Sequence, residues 1–248
     1  MPFTPAHAVA VLPFRKTRLN LPAMVVGSLS PDFEFFLRLA PHTEFGHTWL
    51  GILALDLPLS LIILWLYQSY LRPGLYAVAP RLFPFREESL KERPAFRGLK
   101  QLMLIVVSIL LGALTHILWD SFTHDNMWPY AHIAWLRIGV HLPLHRYMQI
   151  DDILQYLSSA AGMVILFVLW ARWIRTAGRR AVPAFRELWI ALVIVAIFAA
   201  LLRAEVGIRA WQGHITITSE CVVTFITVLW IQLVIAGMVY KHRADRRD

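Results

Sequence analysis

Charged side chains are scarce in this 248-residue chain. Asp, Glu, Lys and Arg together make up 16% of it, against 58% hydrophobic residues, a balance far from that of a soluble globular domain. Cysteine is nearly absent. The single Cys221 excludes an intramolecular disulfide and any zinc site built from cysteines, and its place at the head of an apolar run suits a buried thiol. No segment alternates apolar and polar residues as a membrane β-strand does. The charged, apolar, small-residue order of a signal peptide is also missing, since Pro2, Pro5 and His7 precede the first basic cluster.

Long apolar runs are what the chain does have. Five of them, roughly 49–70, 101–119, 153–173, 188–203 and 220–240, approach or exceed the roughly 20 helical residues that cross a bilayer core. A sixth stretch, 21–39, is interrupted by Ser30, Pro31, Asp32 and Glu34. Either it crosses from the inside or it is broken and re-entrant, because irregular backbone needs cover from lipid. The expected fold is an all-α polytopic membrane bundle forming a single membrane domain. Residues 1–130 would hold the metal-site half and 150–248 three further spans.

The formal charge of +8 belongs to this topology. Segments 72–100, 172–186 and the tail are rich in Arg and Lys, whereas 120–151 carries only Arg137 and Arg146, and 204–219 only Arg209. Strict alternation of basic and non-basic loops is what the positive-inside rule requires, with the basic loops meeting anionic headgroups. Nucleic acid is not an expected partner. The reading places the C-terminus in the cytoplasm of a bacterial cell, with tryptophans near the run ends as interfacial anchors.

Histidines collect on the opposite side: His42, His47, His124, His132, His141, His145 and His214 all fall in or beside the non-basic loops. His116 and Asp120, four apart near the end of one run, share a helix face. Imidazole and carboxylate at that spacing suit two ligands to one zinc ion, or a hydrogen-bonded pair between helices. At a membrane edge a desolvated carboxylate needs a partner or a cation, which favours the metal. His124 extends the face if the helix continues. Asp32 and Glu34 follow a Ser-Pro turn suited to a helix start, and His42, Glu44 and His47 precede the run at 49.

His7, Ser-Pro-Asp32 with Glu34, Phe-Gly-His47-Thr and Leu-Thr-His116-Ile-Leu-Trp-Asp120 occur in this order over about residues 1–130. The set resembles the bacterial membrane-bound metal-dependent hydrolases, in an uncharacterised branch (domain of unknown function 4184), and is distantly similar to the zinc-dependent phospholipase C and alpha-toxin group. The resemblance implies one or two divalent ions, zinc by ligand type, on His7, Asp32, His47, His116 and Asp120, with His124 a further ligand. It implies hydrolysis of a lipid-linked ester, foremost a phosphoester, by metal-activated water, with Asp32 or Glu34 orienting or deprotonating that water. His141, His145, Asp151, Asp152, His214 and Glu220 stay open as additional ligands. The rival reading is a metal carrier or a structural metal, for which Asp56 within run 49–70 would mark an ion path.

Overall fold

In the computed structural model the described residues are 3–40, 42–86, 89–90, 96, 98–124, 127–142, 146–177, 186–209 and 214–246. They are almost wholly helical. Two short helices, α1 (Leu21–Leu29) and α2 (Phe33–Arg38), precede the long α3 (Trp49–Val78) and α4 (Leu99–Asp120). A single turn, α5 (Trp128–His132), is followed by α6 (Ile150–Thr176), α7 (Arg186–Arg209) and α8 (His214–Asp245). Five stretches are long and apolar enough to cross a membrane: Trp49–Val78, Leu99–Asp120, Ile150–Thr176, Leu188–Ile208 and Ile217–Arg243. The expected bundle of five spans is therefore present, each span longer than its apolar run.

The interrupted stretch 21–39 is broken. α1 has only nine residues and passes through the 3-10 turn Ser30–Asp32 into the six-residue α2. At 1.5 Å per residue neither piece reaches across a bilayer. Asn20 starts α1 by accepting from the Ala23 N–H at 3.0 Å, and Pro22 occupies its first turn. The all-helical expectation misses one feature, the hairpin of β1 (Gly139–Leu142) and β2 (Arg146–Gln149), which pairs Gly139 with Gln149 and His141 with Tyr147.

Contacts divide the chain into two compact units that interleave along the sequence. The first comprises Met1–Asp32, Phe45–Leu61 and Gly98–Ala171, and the second Phe33–Glu44, Ile62–Arg97 and Arg172–Asp248. In the first unit a 3-10 strap (Thr4–Lys16) lies against α1 and α4, with Ala6, His7 and Val11 buried. Helices α1 and α4 cross backbone to backbone. A Cβ on Gly27 would stand 2.1 Å from the Ile109 carbonyl oxygen, and one on Gly112 2.2 Å from that of Met24. Small residues at such crossings let membrane helices pack without side chains between them. Around the crossing Ala23, Met24, Ile105, Ile109 and Ala113 form the buried core.

The second unit repeats the device. Where the last turns of α3 meet α8, a Cβ on Gly74 would lie 2.0 Å from the Leu233 oxygen, and one on Gly237 1.8 Å from that of Tyr70. Helices α7 and α8 are joined by an ion pair of Arg203 with Glu220 at 2.8 Å and by Cys221 Sγ donating to the Ala200 carbonyl.

Candidate metal centre

The strap, the Ser-Pro-Asp turn, the loop ahead of α3 and the end of α4 bring five side chains of the first unit together. His116 is fully buried on α4, and its Nδ1 donates to the Ser28 carbonyl oxygen at 2.8 Å. Because a carbonyl only accepts, that bond puts a proton on Nδ1, so that in the neutral form of the ring Nε2 carries the lone pair. Nε2 faces Asp120 Oδ2 at 3.2 Å and Asp32 Oδ1 at 3.7 Å. Asp120, one turn further on, is likewise buried.

His47 precedes α3, whose N-terminus is capped by Thr48 Oγ1 accepting from the Gly51 N–H at 2.9 Å. Its Nε2 lies 3.5 Å from Asp120 Oδ2 and 3.8 Å from Asp32 Oδ1, and its side chain keeps 19% exposure, where the other four are almost fully covered. Asp32 uses its second oxygen to accept from Thr4 Oγ1 at 2.6 Å. His7 stacks on His116 with centroids 3.9 Å apart, meets Trp119 edge-on, and points Nε2 at Asp120 Oδ1, 3.4 Å away. Neither nitrogen of His7, nor His116 Nε2, nor Asp120 Oδ1 has a hydrogen-bond partner among the described residues.

These separations have a meaning. Charge-assisted N–H···O bonds close to about 2.7–2.9 Å, whereas ligand atoms about 2.0–2.2 Å from a tetrahedral zinc stand about 3.3 Å apart. The imidazole–carboxylate distances of 3.2, 3.5, 3.7 and 3.8 Å are all longer than the first; 3.2 and 3.5 Å lie near the second, and 3.7 and 3.8 Å exceed it. Two overlapping groups, His7 with His116 and Asp120, and Asp32 with His47 and His116, place one ligand atom each within 4.8 Å of one another.

Electrostatics at His7 agree with a lone pair rather than a second proton. Burial, with the neighbouring His116 next in size, holds the His7 pKa down at about 3, so the ring is neutral at ordinary pH. Burial acts on Asp32 in the opposite sense, raising its carboxyl above the usual range against the pull of His116 and Thr4. The neutral His7 ring thus brings one proton and one lone pair to the cluster.

Residues 1–238 match the family model of a domain of unknown function, DUF4184. The chain belongs to that family. No curated protein matches, and no solved structure does either. The DUF4184 match covers all five clustered residues, and its description assigns no activity.

Other expected residues lie elsewhere. α4 ends at Asp120, so His124 leaves the shared face. Its Nδ1 bonds the Asp120 main-chain oxygen at 3.1 Å and stays 3.9 Å from Oδ2. Glu34 belongs to the second unit, where Arg38 Nε meets Oε1 at 2.7 Å and the Glu44 N–H donates to Oε2. His141 stands on β1 beside Tyr147, Asp152 accepts from the Gln149 N–H, and Glu220 pairs with Arg203. Asp151 is buried at the start of α6. His145 and the side chain of His214 lie outside the described residues. The sequence reading missed Thr4 and the Ser28 carbonyl. A main-chain oxygen has no residue signature, and Thr4 is an ordinary strap residue until Asp32 is placed beside it.

Proposed function

We propose that this chain is an integral membrane metal-dependent hydrolase whose ion sits among Asp32, His47, His116 and Asp120 and whose substrate is a lipid-linked ester, foremost a phosphoester. The observation that carries the reading is the spacing of imidazole nitrogens and carboxylate oxygens, tetrahedral in scale, around a His116 whose free nitrogen is fixed by the Ser28 bond. Nitrogen and carboxylate ligands in such a set suit zinc. Asp120 also offers Oδ1 to His7 at 3.4 Å, an incomplete set for a second ion that leaves positions for water and a phosphoryl oxygen. A bound dication lowers the pKa of water to about 7 and polarises the phosphoryl group.

The residues supply the rest. Ser28 and Thr4 orient His116 and Asp32, and buried Asp32 is the carboxylate suited to take a proton. His47 is the half-open edge, and the residues after it, Trp49 and Leu50, are exposed and apolar. That combination supports a substrate with its head at the site and its tail in lipid. The non-basic loops support a location near the outer face of a bacterial cytoplasmic membrane.

A structural or carried ion is the second reading, favoured by a proposed set of four protein ligands, the number a closed structural site uses. Purified protein separates the two. Metal analysis should give stoichiometric zinc in wild type and none in the His116→Ala, Asp120→Ala double variant, with both inserted in the membrane. Hydrolysis of vesicle phospholipids by the wild type, lost on chelation and restored by zinc, supports the enzyme. Bound zinc without turnover of any lipid phosphoester supports the structural ion, and no zinc in either protein sinks both.

A further inference from the structure

Asp56 is a buried ionisable residue of the first unit that the metal set does not use. It lies two turns into the apolar helix α3, with 1% of its surface exposed. A carboxylate there is costly unless engaged, and it is engaged. What lies against it is the loop that carries His47. A Cβ on Gly46 would stand 3.5 Å from Asp56 Oδ1 and 2.4 Å from the Pro31 carbonyl oxygen. Gly46 is therefore wedged between the residue preceding the ligand Asp32 and the buried carboxylate, and the next residue is His47.

We infer that Asp56 is a positioning residue that fixes the Gly46–His47 backbone so that the His47 imidazole reaches the ion, an inference resting on the metal-site reading above. The local backbone fits this role. Residues Ile52–Asp56 form a π-helical turn, a widening that places one extra residue per turn and recurs at functional sites. The same loop is held at its other end, where Phe45 and Thr48 accept close approach from Gly51. Those contacts tie the loop to α3, while the Asp56 carboxylate is the charged group beneath it. His47 is the most exposed of the five ligands, so it depends most on its backbone for placement.

The test is a double-mutant cycle on the full chain in detergent, with zinc affinity measured by chelator competition. Asp56→Leu should weaken zinc binding by about tenfold to a hundredfold, the usual effect of removing a ligand's support. His47→Ala should weaken it at least as much, and the double variant should bind like His47→Ala alone, because the support has nothing left to support. Asp56→Asn, which keeps the shape, should fall between wild type and Asp56→Leu and serves where Asp56→Leu does not fold. Additive losses, or wild-type affinity in both Asp56 variants, overturn the inference. So does zinc flux into vesicles that Asp56→Asn blocks with affinity unchanged, the mark of an ion path. Failure of the wild type itself to bind zinc overturns the metal reading instead.

Discussion

The two compact units pair their acidic side chains in different ways. In the second, Arg38 meets Glu34 and Arg203 meets Glu220 at 2.7 and 2.8 Å, the contact distance of an ion pair whose proton lies between its partners. In the first, imidazoles and carboxylates approach to 3.2–3.8 Å and stop, with His116 Nε2 and Asp120 Oδ1 unpartnered among the described residues. Both units are built on the same reciprocal glycine crossing, so scaffold does not explain the contrast. Proton supply does. Guanidinium brings its own donors, whereas a neutral imidazole such as His7 turns a lone pair to the carboxylate that repels it unless a proton or a metal cation stands between them.

The crossings give the sharpest comparison. Gly112→Ala forces a Cβ to within 2.2 Å of the Met24 oxygen, and Gly237→Ala one to within 1.8 Å of the Tyr70 oxygen. Each should cost about 1–3 kcal/mol or more by overpacking, read as a lowered thermal midpoint in detergent. The two should part on zinc. The α1–α4 crossing sets Ser28 against His116, so Gly112→Ala should also weaken metal binding, while Gly237→Ala should leave zinc stoichiometry intact. Equal loss of zinc in both would show that the units are not separable in this respect.

The ion pair of the second unit allows a smaller effect. Arg203→Leu strands Glu220 and should cost about 2 kcal/mol, below the 3–5 of a fully buried pair because the Arg203 side chain keeps 23% exposure. Replacing both partners with leucine should restore most of that loss, since two uncharged side chains leave no stranded ion. Thermal midpoints of the three proteins check it. A double variant no better than the single one would mean that the pair does more than satisfy itself.

The spans are legible in the sequence because apolar length is enough to specify them. Their ends are not. The run 49–70 ends before Arg72 and Pro73, yet α3 continues to Val78. The π-helical turn Tyr67–Leu71 precedes Pro73, and a proline in the first turn after such a break removes little. In the site, His116 and Asp120 follow from helical spacing, but the meeting of His7 with them needs the strap to fold back over α4, which no local pattern encodes. α4 stops at Asp120, so His124 does not continue its face, though it stays 3.9 Å from the Asp120 carboxylate. Glu34 pairs with Arg38, four residues on along the same short helix.

Acid should separate the units as well. In the metal-free protein His7 stays neutral down to about pH 3, whereas in the unfolded chain it protonates at its ordinary value of 6.5. Between those limits the unfolded state binds a proton that the folded state refuses, so stability falls as pH drops from 6.5 toward 3. Asp32 acts with the opposite sign. Its raised carboxyl takes a proton in the folded state before it does in the unfolded one, which relieves a cost as pH approaches the ordinary carboxylate range. Over this range His7 lowers stability and Asp32 opposes it towards the acid end. In chelator-treated protein His7→Phe should flatten the decline of the thermal midpoint below pH 6.5, and Asp32→Asn should steepen it at its acid end. Zinc should hide both changes near neutrality and be released as acid protonates its ligands. A decline that His7→Phe leaves unaltered would place the acid sensitivity outside the cluster and remove the argument for a buried neutral imidazole there.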